Sequence, residues 1–148
     1  MKAIWFMGLS VLLAGCVSTN VRPIDKSHNM SYVCIEDNPN VRVPGLVETV
    51  MDVFHAHGIR TELYRYGRPS YCYFTLVYSA SMAGDYSRYL ARAQMRMFKG
   101  REDVGYAEYL LKGDGGLSPG KWDSVESKIA PLVNELLVEY ASGVRPVH

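Results

Sequence analysis

The chain carries no excess charge of either sign. Its 16 Lys and Arg stand against 15 Asp and Glu, and neither set forms a run. That balance excludes the electrostatic footprint of a nucleic-acid binder. Cysteine is scarce, at three residues, and no Cys-x-x-Cys pair or Cys/His cluster occurs, so the spacing of a zinc site is missing. His55 and His57 lie two residues apart, about 200° around a helix, and cannot share a metal as an i, i+4 pair can. No nucleophile-elbow pattern appears, and the loop carboxylates Asp85, Glu102 and Asp103 have no evident partner. Internal repeats are absent, which removes solenoids and arrays. No apolar run is long enough to serve as a permanent membrane-spanning helix. Without catalytic groups or a cofactor motif, the expectation is a protein that is not an enzyme and needs no cofactor.

One stretch tests that expectation. In "GGLSPGKW", Gly115 and Gly120 have the spacing of a phosphate-binding loop and Lys121 follows, between a predicted strand and a predicted helix. Trp122, however, replaces the hydroxyl residue that would hold Mg²⁺, and Pro119 removes a backbone N–H from the cradle. The stretch reads as a glycine-rich loop, and no nucleotide is expected.

What is present is strongest at the N-terminus. Lys2 supplies a positive charge, Ala3 to Leu13 forms a short apolar run, and Leu13-Ala14-Gly15-Cys16 closes it. This resembles the lipobox of bacterial lipoproteins, in which the Cys takes a thioether-linked diacylglycerol and the preceding peptide is removed. The resemblance implies a signal peptide over 1–15, lipidation at Cys16 and stable anchoring by more than one acyl chain. Val17 stands where an Asp would favour inner-membrane retention in that class, so the implied location is the outer membrane, facing the periplasm. The resemblance covers the leader alone. Removing it takes away Lys2 and brings basic and acidic residues into balance.

With Cys16 assigned to lipid, Cys34 and Cys72 remain as an even pair in an oxidising compartment. A disulfide is the expected reading, and two buried free thiols the alternative.

Residues 16–30 are polar with little periodicity and read as a lipid-anchored tether. Residues 31–142 form a single α+β domain, followed by a frayed tail over 143–148. "SYVCIED" predicts a strand, and "VPGLVETVMDVFHAHG" an amphipathic helix with Pro44 near its start and Gly58 just past its end. Period-two alternation then predicts strands at "IRTELYRY", "YCYFTLVYSA", "YLARAQMRMF" and "VGYAEYLLK". "WDSVESKIAPLVNELLVEYAS" predicts a final helix, with Asp123 and Glu126 as a capping box and Pro131 kinking or dividing it. The expected order is β-α-β-β-β-β-α: a mostly antiparallel sheet of about five strands with both helices on one face.

In that arrangement Tyr64, Tyr66, Tyr71, Tyr73, Arg92, Arg96 and Tyr106 project from the face away from the helices. Tyr and Arg dominate protein-binding hot spots, because they bury much area and still offer hydrogen bonds. Tyr is also a good β-former, and cross-strand Tyr, Arg and Glu108 pairs equally suit a solvated face. The reading taken forward is a non-enzymatic accessory lipoprotein that binds an envelope protein or peptidoglycan. An immunity or inhibitor lipoprotein against a periplasmic toxin or hydrolase stands beside it, and a periplasmic enzyme third.

Overall fold

The computed structural model describes residues 17–112 and 120–140. The expected leader with Cys16, the expected tail over 143–148 and most of the Gly115–Trp122 stretch lie outside the described residues. Six strands form one sheet: β1 (Val17–Arg22), β2 (Tyr32–Glu36), β3 (Arg60–Tyr64), β4 (Phe74–Ala83), β5 (Tyr89–Lys99) and β6 (Glu102–Leu111). Two helices, α1 (Leu46–Ala56) and α2 (Val125–Leu136), complete the α+β fold. Both lie on one face, where α1 packs against α2 and β3, and α2 against β6 and β1.

The spatial order is β1-β6-β5-β4-β2-β3. β4, β5, β6 and β1 pair antiparallel, whereas β2 runs parallel to both neighbours, so the sheet is mixed rather than mostly antiparallel. The cause is connectivity. A helix links β2 to β3, and a crossover of that kind returns the chain in the same direction.

From β2 onward the elements follow the expected order. The N-terminal segment does not. Residues 17–22, read as tether, pair with β6 along their whole length, Val17 opposite Leu111 through to Arg22 opposite Tyr106. β1 is an edge strand in which Val21 alone packs against the core, so one apolar residue marks its inward face and the period-two signal is weak. Ile24 and Met30, further along the same segment, are buried in the core.

The helix-side face carries the core in cross-strand rows. Ile35, Leu76, Met97 and Gly105 form one row; Tyr78, Met95, Ala107 and Val21 form the next. At Gly105 the missing side chain admits a neighbour: a Cβ there would lie 2.5 Å from Ile24 Cγ1 and 3.2 Å from Leu136 Cδ1. Ile129, Leu132, Val133 and Leu136 of α2 close over these rows.

α1 starts after Gly45, held at φ 81°, and stops at His57 before Gly58 at φ 76°. α2 is capped one residue later than expected. Ser124, not Asp123, accepts the Ser127 N–H at 3.1 Å, so Glu126 does not complete a capping box with Asp123. Pro131 lies inside α2 without dividing it. The histidines tie elements together: His57 Nδ1 lies 2.7 Å from the Tyr140 carbonyl oxygen and Nε2 2.9 Å from Asn134 Oδ1, while His55 Nε2 meets Thr61 Oγ1 at 2.9 Å.

A sheet face divided between a strap and an open network

β3 and β4 flank β2 and run parallel to it, so residues 65–73 must carry the chain back along the sheet. They do so over the face opposite the helices. Val33 and Ile35 point into the core, so Cys34 points to the other face, and there it is joined to Cys72. The Cys34–Cys72 disulfide spans 38 positions, with Cα atoms 5.7 Å apart. Further ties hold this strap. Tyr71 Oη donates to Glu62 Oε1 at 2.6 Å, and Arg65 pairs with Asp37 at 2.5 Å. At its end, Gly100 N–H donates to the Tyr73 carbonyl at 2.9 Å.

Tyr32 also donates to Glu62. Together with the bond from Tyr71 this holds the Glu62 carboxyl below the usual carboxylate range, and the same bond pushes the Tyr32 phenol up to about 12. Beneath the strap Cys34 and Thr75 are buried, although both sit on the face away from the core, and Thr75 Oγ1 has no hydrogen-bond partner.

The strap corrects part of the sequence reading. Tyr71 and Tyr73 do not belong to β4, which begins at Phe74; they lie on the returning segment, 61% and 68% exposed. Tyr66 is on the same segment and almost fully exposed, whereas Tyr64 is the last residue of β3 and reaches Glu36 at 3.4 Å. Burial, more than Glu36, raises the Tyr64 phenol above its ordinary value.

Beyond the strap the sheet face is uncovered. The register aligns Val77, Arg96, Tyr106 and Arg22 in one row across four strands, and Ser79, Gln94, Glu108 and Asn20 in the next. Arg92 follows, between Ser81 and Leu110.

The side chains interlock. The Arg96 guanidinium lies 5.0 Å from the centroid of the Tyr106 ring and donates to Asp103 Oδ2 at 2.7 Å; Arg22 pairs with the other oxygen of Asp103. Tyr106 Oη donates to Glu108 Oε2 at 2.6 Å, Gln94 Nε2 donates to the same oxygen at 2.5 Å, and Arg92 stands 3.8 Å from it. Hydrogen bonds from Tyr106 and Gln94 keep Glu108 ionised below the usual carboxylate range. Arg96 and Tyr106 line two shallow, open depressions.

The seven residues read from the sequence thus fall into two groups. Arg92, Arg96 and Tyr106 are brought together, whereas Tyr64, Tyr66, Tyr71 and Tyr73 belong to the strap and its edge. Sequence reasoning missed Asn20, Arg22, Gln94 and Asp103 as members of the network. Asn20 and Arg22 were missed because β1, with Val21 alone packed against the core, was read as tether. Gln94 lies on the outward phase of β5 with Arg92 and Arg96, and that phase was the available clue. Lys121, from the near-phosphate loop, lies 4.3 Å from the centroid of the Tyr89 ring and 5.0 Å from that of Trp122. Among the described residues no group of three His, Cys, Asp or Glu side chains could hold a metal.

Two layers, with helices covering one sheet face and a strap crossing half of the other, define an α+β sandwich with one open polar-aromatic surface. Among solved structures the fold is similar to PelC from Paraburkholderia phytofirmans, described as a dodecamer. A single-substitution variant in space group C2 aligns with a TM-score of 0.57 at 9% identity, covering 85% of this chain and 99% of the PelC chain. A second PelC structure, in space group P6, aligns with a TM-score of 0.52 at 11% identity, covering 78% and 96%. At these identities the likeness is one of fold. No protein-family model and no curated protein matches the chain.

Proposed function

We propose that this chain is a non-enzymatic accessory lipoprotein, anchored through Cys16 at the outer membrane and facing the periplasm, that binds another envelope protein with its open sheet face. The observation that carries the reading is the uncovered Arg22–Tyr106–Arg96 row beside Arg92. Guanidinium and phenol groups stand there on a rigid sheet, outside both the helix layer and the strap. Glu108 accepts from Tyr106 and Gln94 and stands beside Arg92, so it is an ionised acceptor that fixes these side chains on the face. The fold likeness to a protein described as a dodecamer supports a role within an assembly.

Two measurements test the parts separately. Radiolabelled palmitate is expected to enter the wild-type chain and not Cys16→Ser; equal labelling of both removes the anchor. For the face, Arg96→Glu and Tyr106→Ala are expected to weaken partner capture by about 2 kcal/mol or more, roughly thirtyfold in Kd, in crosslinking pulldowns from intact cells. The same variants should lose only about 1 kcal/mol or less of stability, because their partners are solvent-exposed ion pairs and cross-strand contacts. Variants that fold normally and still recover every protein crosslinked to the wild type would show the face to be merely solvated. Recovery of peptidoglycan fragments in place of protein would overturn the partner class.

A further inference from the structure

β1 begins at Val17, the covalent neighbour of Cys16. Val17 pairs with Leu111, the last residue of β6, and Leu110 pairs with Arg92 of β5. Tyr89 and Leu90, at the start of β5, and Ala83, at the end of β4, therefore lie at that same end of the sheet. The turn over 84–88 and the segment entering α2 meet there. Trp122 Nε1 donates to the Ser87 carbonyl at 3.4 Å, and the Trp122 ring meets Tyr89 edge to face with centroids 6.3 Å apart. Two large aromatics nevertheless project from this end: Tyr86 is fully exposed and Trp122 is 59% exposed. Arg88 and Lys112 are exposed beside them, with Asp85 and Asp123 as the neighbouring acids.

We infer that this end is a membrane-seating surface, in which Trp122 and Tyr86 enter the headgroup layer of the leaflet that holds the Cys16 acyl chains. The inference rests on the lipidation of Cys16 proposed above. A flexible spacer would let the domain stand off from the bilayer. Here the ordered sheet starts one residue after the acylated position, so the end bearing Val17 is kept at the lipid surface. Trp and Tyr favour that interfacial layer, with an apolar ring body and a polar N–H or O–H, and Arg88 and Lys112 would meet lipid phosphates. The acyl chains supply the affinity and the two rings set the orientation. The turn between β5 and β6, at Gly100 and Arg101, is then directed away from the membrane, about 35 Å distant for an 11-residue strand.

The mature chain offers a direct probe. Of the two tryptophans in the full sequence, Trp5 lies in the proposed leader, so Trp122 is the only one left after processing. The acylated protein, with acylation verified by intact mass, is reconstituted into vesicles of phosphatidylethanolamine and phosphatidylglycerol, with or without brominated acyl chains. Trp122 emission is expected to shift to the blue and to lose roughly half or more of its intensity in the brominated vesicles, as an interfacial indole should. A chain carrying Trp122→Phe and Arg101→Trp is expected to keep its intensity. Acylated wild type with unquenched Trp122 overturns the inference and leaves lipidation standing. Equal quenching of the Arg101→Trp probe overturns the orientation. A preparation whose mass contains no acyl chains removes the anchor and the seating surface together.

Discussion

Replacing Cys34 and Cys72 together by serine is expected to lower stability by about 3–4 kcal/mol, the value the chain-entropy model assigns to a cross-link of this loop length. The bridge closes a separation of 38 positions and holds residues 65–73 against β2. The other ties of the strap do not replace it. The Arg65–Asp37 pair is roughly half exposed on its Arg side, and exposed pairs contribute about 0–1 kcal/mol. The bond from Tyr71 to Glu62 is exposed and that from Tyr32 is only part-buried. Loss of the bridge should therefore release the strap before it unfolds the sheet, opening Thr75 to water. Urea titrations of the oxidised wild type and of the double variant give the comparison, with proteolysis within 65–73 as the local readout. A difference below about 1 kcal/mol, with 65–73 still protected, would mean that the strap is held without its covalent link.

Leu76→Ala is expected to destabilise by about 2–5 kcal/mol, the range for truncating a fully buried aliphatic side chain. Leu76 is completely buried in the middle of a core row, with Ile35 opposite on β2 and Met97 opposite on β5. Both neighbours are held by strand pairing and are themselves buried, so the space cannot close by a loop shift and a cavity remains. Ser79, three residues on along β4 and on the other face, provides the contrast: exposed and solvated, it should tolerate Ala within about 0.5 kcal/mol. Chemical denaturation of the two variants in parallel checks both. Similar losses at the two positions would mean that the assignment of faces is wrong.

These assignments show which signals the sequence carried. Inward residues of β4, β5 and β6, such as Leu76, Met95, Met97 and Ala107, alternate with polar ones because one face is core and the other is open. Period two made them legible, and with them Arg92, Arg96 and Tyr106. α1 was legible for the same reason at period 3.6, bounded by Pro44 and Gly58. β1 was not legible, because an edge strand that packs only Val21 against the core leaves too short an apolar phase to read. Tyr71-Cys72-Tyr73 misled in the opposite direction. Its residues favour strands and alternate correctly, yet the parallel placement of β3 and β4 requires those positions for the return. That requirement is topological and leaves no local mark. The helix cap was missed by one residue because Asp123 and Ser124 can both accept a backbone N–H, and only the observed bond to Ser127 separates them.

The pairing of β1 with β6 has a consequence in time. Synthesis delivers the N-terminus first, yet Val17–Arg22 has no strand to join until residues 102–111 have followed. That segment is thus an orphan through most of the chain's production, and so is Ile24, whose place against Gly105 and Leu136 does not yet exist. Contacts of such long sequence separation form slowly. A lipid attached at Cys16 during that interval would hold the unpaired strand at a membrane surface, away from the edges of other unfinished chains.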